Sequence, residues 1–358
     1  MSFKMSENMI SSKPVKVSVL CLAYNHEKYI RQCLDGFVMQ KTDFSFEVLI
    51  NDDASTDGTA DILREYEHKY PDIFRIVYQK ENQFVKGIDF FRRILGPMVR
   101  GQYVAVCEGD DYWTDPLKLQ KQADYLDSHP SYGMCFTRSL RHFDDNSKPD
   151  SYFPFEGYND LIIKESYTFA ELVKYGNFMD TATVMYRWRF HEDPLSYIPE
   201  QVLPGDYFWH LLHAQKGDIG FINEPTAVYR RNSGSIWFNF LSDEWYNRYF
   251  KKHFHFYEEM ARFFNVDTEK NKYYLVKGAI MSAARQQDYG FLDKLKNDYA
   301  AYFNEGVREI NSASYYKFVL AALLKNIPLR EMKNCWGREY RRQKIFLSAK
   351  KFVKRILN

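Results

Sequence analysis

Residues 46–59 read Phe46-Glu47-Val48-Leu49-Ile50-Asn51-Asp52-Asp53-Ala54-Ser55-Thr56-Asp57-Gly58-Thr59. The first five residues are mostly apolar, which predicts a buried strand that ends just before the two acids. The polar run that follows predicts a turn and the amino-terminal cap of a helix extending to Tyr70. A strand, a short turn and a helix in this order form the repeating unit of parallel α/β sheets.

The same unit occurs on both sides of this stretch. A strand at 15–22 precedes a helical pattern at 25–40, and strands at 74–78 and 103–107 enclose a helix around 89–99. This alternation predicts an α/β fold, with a mainly parallel sheet flanked by helices.

The alternation does not continue along the whole chain. It becomes irregular in the middle, and the last third has a helical pattern with few signs of strands. We therefore expect a flexible N-terminal tail at residues 1–14, an α/β domain at 15–237 and a helical C-terminal region at 238–358.

The composition is that of a globular protein with an almost neutral charge. The 49 Lys and Arg against 47 Asp and Glu give a net charge of +2, so we expect no nucleic-acid partner. The five cysteines form no paired motif, and no apolar run has the length of a membrane span. We therefore expect a cytoplasmic protein with reduced thiols.

Polar or acidic residues follow three of the four predicted strands. The carboxyl ends of parallel strands meet at one edge of a sheet, where ligands bind in this class of fold. Such residues also cap helices, so each group alone has a purely structural explanation. Together they favour a cation site, and their oxygen ligands suit Mg²⁺ or Mn²⁺. The three groups are Tyr24-Asn25, Asp52-Asp53 and Glu108-Gly109-Asp110-Asp111.

Two glycine-rich phosphate-binding motifs are absent from the sequence. Neither G-x-G-x-x-G nor G-x-x-x-x-G-K-[ST] occurs, and Leu22-Ala23-Tyr24-Asn25 stands after the first strand instead. If the ligand is a nucleotide, a metal held by carboxylates would therefore neutralise its diphosphate.

Three motifs together resemble the family 2 glycosyltransferases with the GT-A fold. They are residues 17–25, residues 48–59 and Gly109-Asp110-Asp111-Tyr112-Trp113, in this order. The likeness covers roughly residues 15–235 and makes the α/β domain the catalytic one. It implies an inverting enzyme that moves a hexosyl or N-acetylhexosaminyl group from a nucleotide sugar, most often a UDP sugar.

The resemblance also implies roles for single residues. Tyr24, Asn25 and Asp53 match family residues that contact the nucleoside, and the adjoining Ala23 and Asp52 are expected to bind the nucleotide as well. The metal motif falls on the last acidic group. Its expected roles are a ribose contact for Asp110, a metal ligand at Asp111 and a possible further ligand at Glu108.

The expected general base lies well downstream of the metal motif. Asp206, in Pro204-Gly205-Asp206-Tyr207-Phe208-Trp209, matches this region, and a plain helix cap is the alternative. Glu200 is a weaker candidate. Residues 176–183 lie where family members line the acceptor side.

A segment resembling the end of the catalytic domain supplies candidates for the diphosphate. Arg230 and Asn232 are the candidates, and many relatives have His where Asn232 stands. A surface ion pair is the alternative role for the arginine.

The last 22 residues form a basic amphipathic pattern. Residues 337–358 hold eight Lys or Arg against one Glu, with apolar residues at helical spacing. Such a helix either lies on an anionic membrane or docks on the protein body. The first alternative suits a peripheral protein on the inner face of the membrane.

Relatives of this size suggest a glycan or lipid-linked saccharide acceptor and a role in bacterial surface polysaccharide assembly. A sugar nucleotidyltransferase and a catalytically idle relative that binds nucleotide sugars or glycans are the alternatives.

Overall fold

The computed structural model describes residues 14–191, 199, 202–232, 240–286 and 288–310. The chain divides into two compact units, Met1–Ser235 and Ile236–Asn358. Most of the expected N-terminal tail, the expected boundary at 237/238, Glu200 and the basic segment 337–358 lie outside the described residues. The tail, the boundary and the basic helix therefore stay predictions.

The first unit combines ten strands and five α-helices among its described residues. The strands are β1 Val15–Ala23, β2 Ser45–Asp52, β3 Phe74–Tyr78, β4 Tyr103–Val106, β5 Tyr112–Trp113, β6 Tyr132–Phe143, β7 Ser151–Phe153, β8 Ser166–Tyr167, β9 Val184–Arg187 and β10 Asp218–Arg231. The helices are α1 Ile30–Val38, α2 Thr59–Lys69, α3 Lys118–Ser128, α4 Phe169–Tyr175 and α5 Gly205–Ala214.

The strands form one sheet in the order β3-β2-β1-β4-β9-β6-β10-β5, with β7 beside β6 and β8 beside β10. The first four strands pair in parallel, as do β6 and β10. The β9 strand runs antiparallel between β4 and β6 and joins these two parallel parts. The predicted α/β sheet flanked by helices is confirmed.

The helix expected around residues 89–99 is not a regular α-helix. The chain forms a wide helical turn at Phe91–Leu95 and then a tight turn at Gly96–Met98. Pro97 lies in the second turn, and a proline lacks the N–H group that a continuing α-helix needs.

The core of the first unit lies between β1 and α1. Ile30, Cys33, Leu34 and Phe37 share one face of α1 and are completely buried against the sheet. Gly36 lets β5 approach this helix, because a Cβ atom there would lie 3.0 Å from the backbone nitrogen of Trp113. This packing fixes the loop between β4 and β5.

The second unit is helical in its described part. It contains α6 Asp243–Phe264, α7 Glu269–Gln286, α8 Tyr289–Asp298 and α9 Ala300–Ile310. Its core is rich in aromatic side chains, with Trp245, Tyr246, Phe250 and Phe254 packed against α7. The predicted helical character of the C-terminal region is confirmed here. Among the described residues, no helix combines the length and apolar character needed to cross a membrane.

A lysine is buried in the core at the start of α3. The Nζ atom of Lys118 donates a hydrogen bond to Gln122 Oε1 at 2.5 Å and lies 4.5 Å from the centroid of the Trp113 ring. Burial lowers the pKa of Lys118 to about 8. The native state therefore loses a proton at a lower pH than the unfolded chain does.

We expect Lys118→Met to change how stability depends on pH. Between the native pKa of about 8 and the ordinary lysine value of 10.5, only the unfolded chain keeps this proton, so the wild type gains stability as the pH rises. From pH 7 to pH 10, the free energy of unfolding of the wild type should rise relative to the variant by roughly 2 kcal/mol. Urea unfolding at both pH values measures this. Lys80→Met, at an exposed lysine, should show no such change, and a constant difference for Lys118→Met would contradict the prediction.

Candidate active site

Parallel pairing brings three strand ends to one edge of the sheet. Ala23, the last residue of β1, lies opposite Asp52, the last residue of β2. The backbone N–H of Asp53 donates to the carbonyl oxygen of Ala23 at 2.9 Å, and that of Gly109 donates to Leu22 at 2.8 Å. The residues after β1, β2 and β4 therefore meet at this edge.

Three carboxylates lie together after β4. Ligand oxygens of Glu108, Asp110 and Asp111 all lie within 4.8 Å of one another. Gly109 allows this arrangement, because a Cβ atom there would lie 2.7 Å from His26 Nδ1 and 3.2 Å from the carbonyl oxygen of Leu22. A residue with a side chain would push the acidic loop away from β1.

The charges of this cluster are unfavourable without a counterion. Burial, followed by the charges of Asp110 and Asp206, raises the pKa of Glu108 to about 8. Burial and the charge of Asp110 also raise the pKa of Asp111 well above its ordinary value. A bound cation or a proton relieves this repulsion.

The carboxylate of Asp111 is held through one of its two oxygens. The backbone N–H of Arg230 donates to Asp111 Oδ1 at 2.8 Å. The other oxygen, Oδ2, is buried and has no hydrogen-bond partner in the described part of the chain. A buried oxygen without a donor, next to two further carboxylates, fits an oxygen-ligated Mg²⁺ or Mn²⁺.

Arg230 and Asn232, at the end of β10, both contact the metal motif. The side-chain amide of Asn232 donates to Asp110 Oδ2 at 2.9 Å. One guanidinium nitrogen of Arg230 donates to the carbonyl oxygen of Asp110 at 3.1 Å, and the guanidinium carbon lies 4.5 Å from the ring centroid of Tyr112. The arginine is buried and supports the acidic loop. The candidate surface ion pair is thus replaced by contacts inside the site.

Tyr24 is accessible at the edge of the sheet, and three of the other proposed nucleoside residues make contacts within the protein. The ring of Tyr24 is 44% exposed, which leaves it open to stacking. Asn25 Oδ1 accepts a hydrogen bond from the backbone N–H of Thr56 at 2.8 Å, and Asp52 Oδ1 accepts one from Ser55 Oγ at 2.5 Å. These two side chains hold the turn between β2 and α2.

Asp53 contacts a different loop. Its carboxylate accepts hydrogen bonds from the backbone N–H groups of Gln83 at 2.7 Å and Phe84 at 3.1 Å. The residue is only 3% exposed. Asp53 therefore fixes the loop after β3, and the sequence signal for a nucleoside contact also marks a structural role.

Asp206 lies in the first turn of α5, near the acidic cluster. Its Oδ2 atom accepts hydrogen bonds from Thr181 Oγ1 at 3.2 Å and Asn177 Nδ2 at 3.3 Å. Burial raises the pKa of Asp206, whereas the Thr181 hydrogen bond lowers it. The antiparallel pairing of β9 with β4, in which Met185 lies opposite Ala105, sets the segment before β9 at the strand end that leads into Glu108, and Thr181 of this segment binds Asp206. The sequence indicated an acceptor side at 176–183, but it gave no sign that this segment contacts Asp206.

A buried ion pair fixes the residue next to Thr181. Arg141 donates to both oxygens of Asp180, at 2.9 Å and 2.7 Å, and Ser139 Oγ donates to Asp180 Oδ2 at 2.5 Å. Ser139 and Arg141 belong to β6, so the central sheet anchors the segment that holds Asp206. Sequence reasoning missed this pair, because Arg141 lies in no motif and the two residues are far apart in sequence.

The sheet and the acidic cluster at its carboxyl edge define a GT-A-like α/β fold. The solved structure of S. aureus TarS (residues 1–349) in complex with UDP-GlcNAc has a similar fold, with a TM-score of 0.53 and 19% sequence identity. The similarity covers 86% of this chain and 82% of that one.

Residues 18–192 match the family described as Glycosyl transferase family 2. This part of the chain is therefore a family 2 glycosyltransferase domain, which confirms the resemblance seen in the sequence.

Two relatives show the extent of the similarity. The uncharacterized protein Rv1520 of Mycobacterium tuberculosis is 41% identical over 227 residues, covering 63% of this chain and 62% of its own length. TuaG of Bacillus subtilis, named for teichuronic acid biosynthesis, is 36% identical over 118 residues, covering 33% of this chain and 44% of its own length. The chain thus spans less than two thirds of either relative.

We expect the cation-free protein to lose stability as the pH rises from 5 to 8. The native state keeps a proton on Glu108 up to a pKa of about 8, against an ordinary value of 4.5, so the stability this proton contributes is lost through this window. Thermal unfolding in EDTA measures the slope. Glu108→Gln should reduce it to the part that the raised pKa of Asp111 contributes, and the exposed Glu156→Gln should leave it unchanged. A slope as steep in Glu108→Gln as in the wild type would assign it to another group.

Proposed function

We propose that this protein is a metal-dependent, inverting glycosyltransferase. It moves a hexosyl or N-acetylhexosaminyl group from a nucleotide sugar, most simply a UDP sugar, to a saccharide acceptor. The observation that carries the proposal is the buried Asp111 Oδ2, which has no hydrogen-bond partner among the described residues and lies within a three-carboxylate cluster.

The carboxylates of Glu108, Asp110 and Asp111 would hold Mg²⁺ or Mn²⁺. Such an ion, when bound, stabilises negative charge on the departing nucleoside diphosphate. Asn232 orients Asp110 and the backbone of Arg230 orients Asp111, so this chain sets the direction of both carboxylates.

Asp206 is the proposed general base. It takes the proton of the acceptor hydroxyl as that oxygen attacks the anomeric carbon. Thr181 and Asn177 hold one of its oxygens, and an ionised carboxylate has about four lone-pair positions, so it still has room to accept this proton. Tyr24, exposed directly after the last residue of β1, would stack on the nucleobase.

The proposed donor and acceptor classes draw on two of the similar proteins. The TarS complex contains UDP-GlcNAc, which supports a UDP-linked donor. The name of TuaG supports a polymeric or lipid-linked saccharide acceptor in bacterial surface polysaccharide assembly. Peripheral attachment to the inner face of an anionic membrane through residues 337–358 remains part of the proposal.

Two alternatives predict different products. A sugar nucleotidyltransferase releases pyrophosphate, whereas a glycosyltransferase releases a nucleoside diphosphate. A sugar nucleotidyltransferase usually needs a glycine-rich basic loop after the first strand, where this chain has Ala23-Tyr24-Asn25. An idle relative binds nucleotide sugars or glycans without releasing either product.

We expect Asp206→Asn and Asp111→Asn to separate base catalysis from nucleotide binding. Asp206→Asn should lower the transfer rate by about 10²–10⁴-fold, as loss of a general base does, and keep the thermal stabilisation by UDP with Mn²⁺. Asp111→Asn should lose both. Nucleoside diphosphate release and thermal shift measure these outcomes, with UDP-glucose and UDP-GlcNAc as donors.

Asp124→Asn is the matched control, since Asp124 is an exposed carboxylate that accepts a hydrogen bond from Gln120 on α3, and its loss should change neither readout. Full activity in Asp206→Asn would overturn the assignment of the base. Release of pyrophosphate by the wild type would overturn glycosyl transfer itself.

We expect Thr181→Val to raise the pKa that governs the acidic limb of kcat/KM. The Thr181 hydroxyl donates to the charged form of Asp206 and so lowers its pKa, and removing this donor shifts the limb to higher pH. A shift of roughly half to one pH unit is expected for one hydrogen bond. Thr183→Val is the control, because Thr183 Oγ1 donates to the backbone of Asp180 instead. Equal profiles for both variants would contradict the prediction.

A further inference from the structure

A small aromatic cluster follows β7. Phe153 is buried, and its ring centroid lies 4.8 Å from that of Tyr158, in an edge-to-face arrangement. Phe155 packs edge-to-face on both, at 6.2 Å from Phe153 and 5.6 Å from Tyr158. Phe155 is nevertheless 49% exposed, so a supported phenyl ring presents half of its surface to solvent.

The cluster is anchored to the segment that holds Asp206. The guanidinium carbon of Arg141 lies 3.2 Å from the ring centroid of Phe153, and Arg141 pairs with Asp180, the neighbour of Thr181. At the other end, the Tyr158 hydroxyl donates to the carbonyl oxygen of Asn177 at 3.4 Å. Thr181 and Asn177 are the two residues that donate to Asp206 Oδ2. The position of Phe155 is therefore coupled to that of the proposed base.

The surroundings of Phe155 favour a sugar over an apolar partner. The residues that follow it in the chain are exposed and mostly polar: Glu156, Gly157, Asn159 and Asp160. A protein or membrane interface would present a contiguous apolar patch. An exposed aromatic ring followed in the chain by exposed polar residues suits a pyranose, whose polarised C–H groups face the negative π-surface while its hydroxyls meet polar side chains.

We propose that Phe155 is a stacking platform for a saccharide unit of the acceptor, beyond the unit whose hydroxyl faces Asp206. The acceptor is then an oligosaccharide or glycan rather than a single sugar. The identity of the bound chain as an acceptor rests on the proposed glycosyl transfer, whereas saccharide binding at Phe155 does not.

The experiment is saccharide binding by the full chain and its variants. The probes are gluco-oligosaccharides and N-acetylglucosamine oligomers of one to six units, measured by saturation-transfer NMR and calorimetry. Phe155→Ala should weaken the binding of the longer oligomers about tenfold, and Phe155→Trp should retain it. Unchanged thermal unfolding in Phe155→Ala shows that the fold is intact.

Tyr152→Ala is the matched control. Tyr152 is 51% exposed and belongs to the same strand as Phe153, but it points to the opposite face because side chains alternate along a strand. Its removal should leave saccharide binding unchanged. Equal affinity of Phe155→Ala and wild type, equal losses in both alanine variants, or no binding of any oligomer to the wild type would each overturn the platform.

A nucleotide measurement separates this inference from the proposed function. UDP with Mn²⁺ should stabilise wild type and Phe155→Ala equally. If saccharides bind through Phe155 but no nucleotide binds, the platform stands and glycosyl transfer fails. If transfer occurs and Phe155→Ala leaves the KM for the acceptor unchanged, only the platform fails.

Discussion

Electrostatic repulsion among three clustered carboxylates is the constraint on which the site depends. Glu108, Asp110 and Asp111 lie within a few ångströms of one another, and burial together with the neighbouring charges raises the pKa values of Glu108 and Asp111. The chain holds them together with uncharged donors to their carboxylates: the Asn232 amide and the backbone N–H of Arg230. These donors fix direction without cancelling charge, which leaves the cluster able to take a cation.

The sequence predicts the early strands well for a physical reason. Strands in the middle of a parallel sheet are buried on both faces, so β1 and β2 appear as apolar runs that end abruptly at polar residues. The same abrupt ends place Asp52 and Glu108 at the carboxyl edge. The turns at Phe91–Leu95 and Gly96–Met98 were harder to predict, because the apolar spacing before Pro97 is that of a normal helix.

The contacts that complete the site depend on pairings distant in sequence. Arg230 reaches Asp111 because β10 pairs with β6 along most of its length and with β5 next to the acidic loop. No local sequence pattern predicts such a pairing. Local patterns also leave the role of a polar residue open: Asn25 and Asp53 follow strands as ligand-binding residues do, yet both hold neighbouring loops. A side chain can stabilise the edge of a sheet and still line the space beyond it.

The groups that surround Asp206 differ from those that surround the three-carboxylate cluster. This difference separates the role of a general base from that of a cation site. An arginine paired with Asp206 would lower its pKa and weaken it as a base. Arg141 is instead paired with Asp180, and the side chains that donate to Asp206 in the described part of the chain, those of Thr181 and Asn177, are neutral. Burial then raises its pKa while it stays well supported. Asp206 thus keeps a carboxylate that is basic enough to take a proton, and the neighbouring cluster favours a cation. Glycosyl transfer requires both: a base at the acceptor hydroxyl and a positive charge at the departing diphosphate.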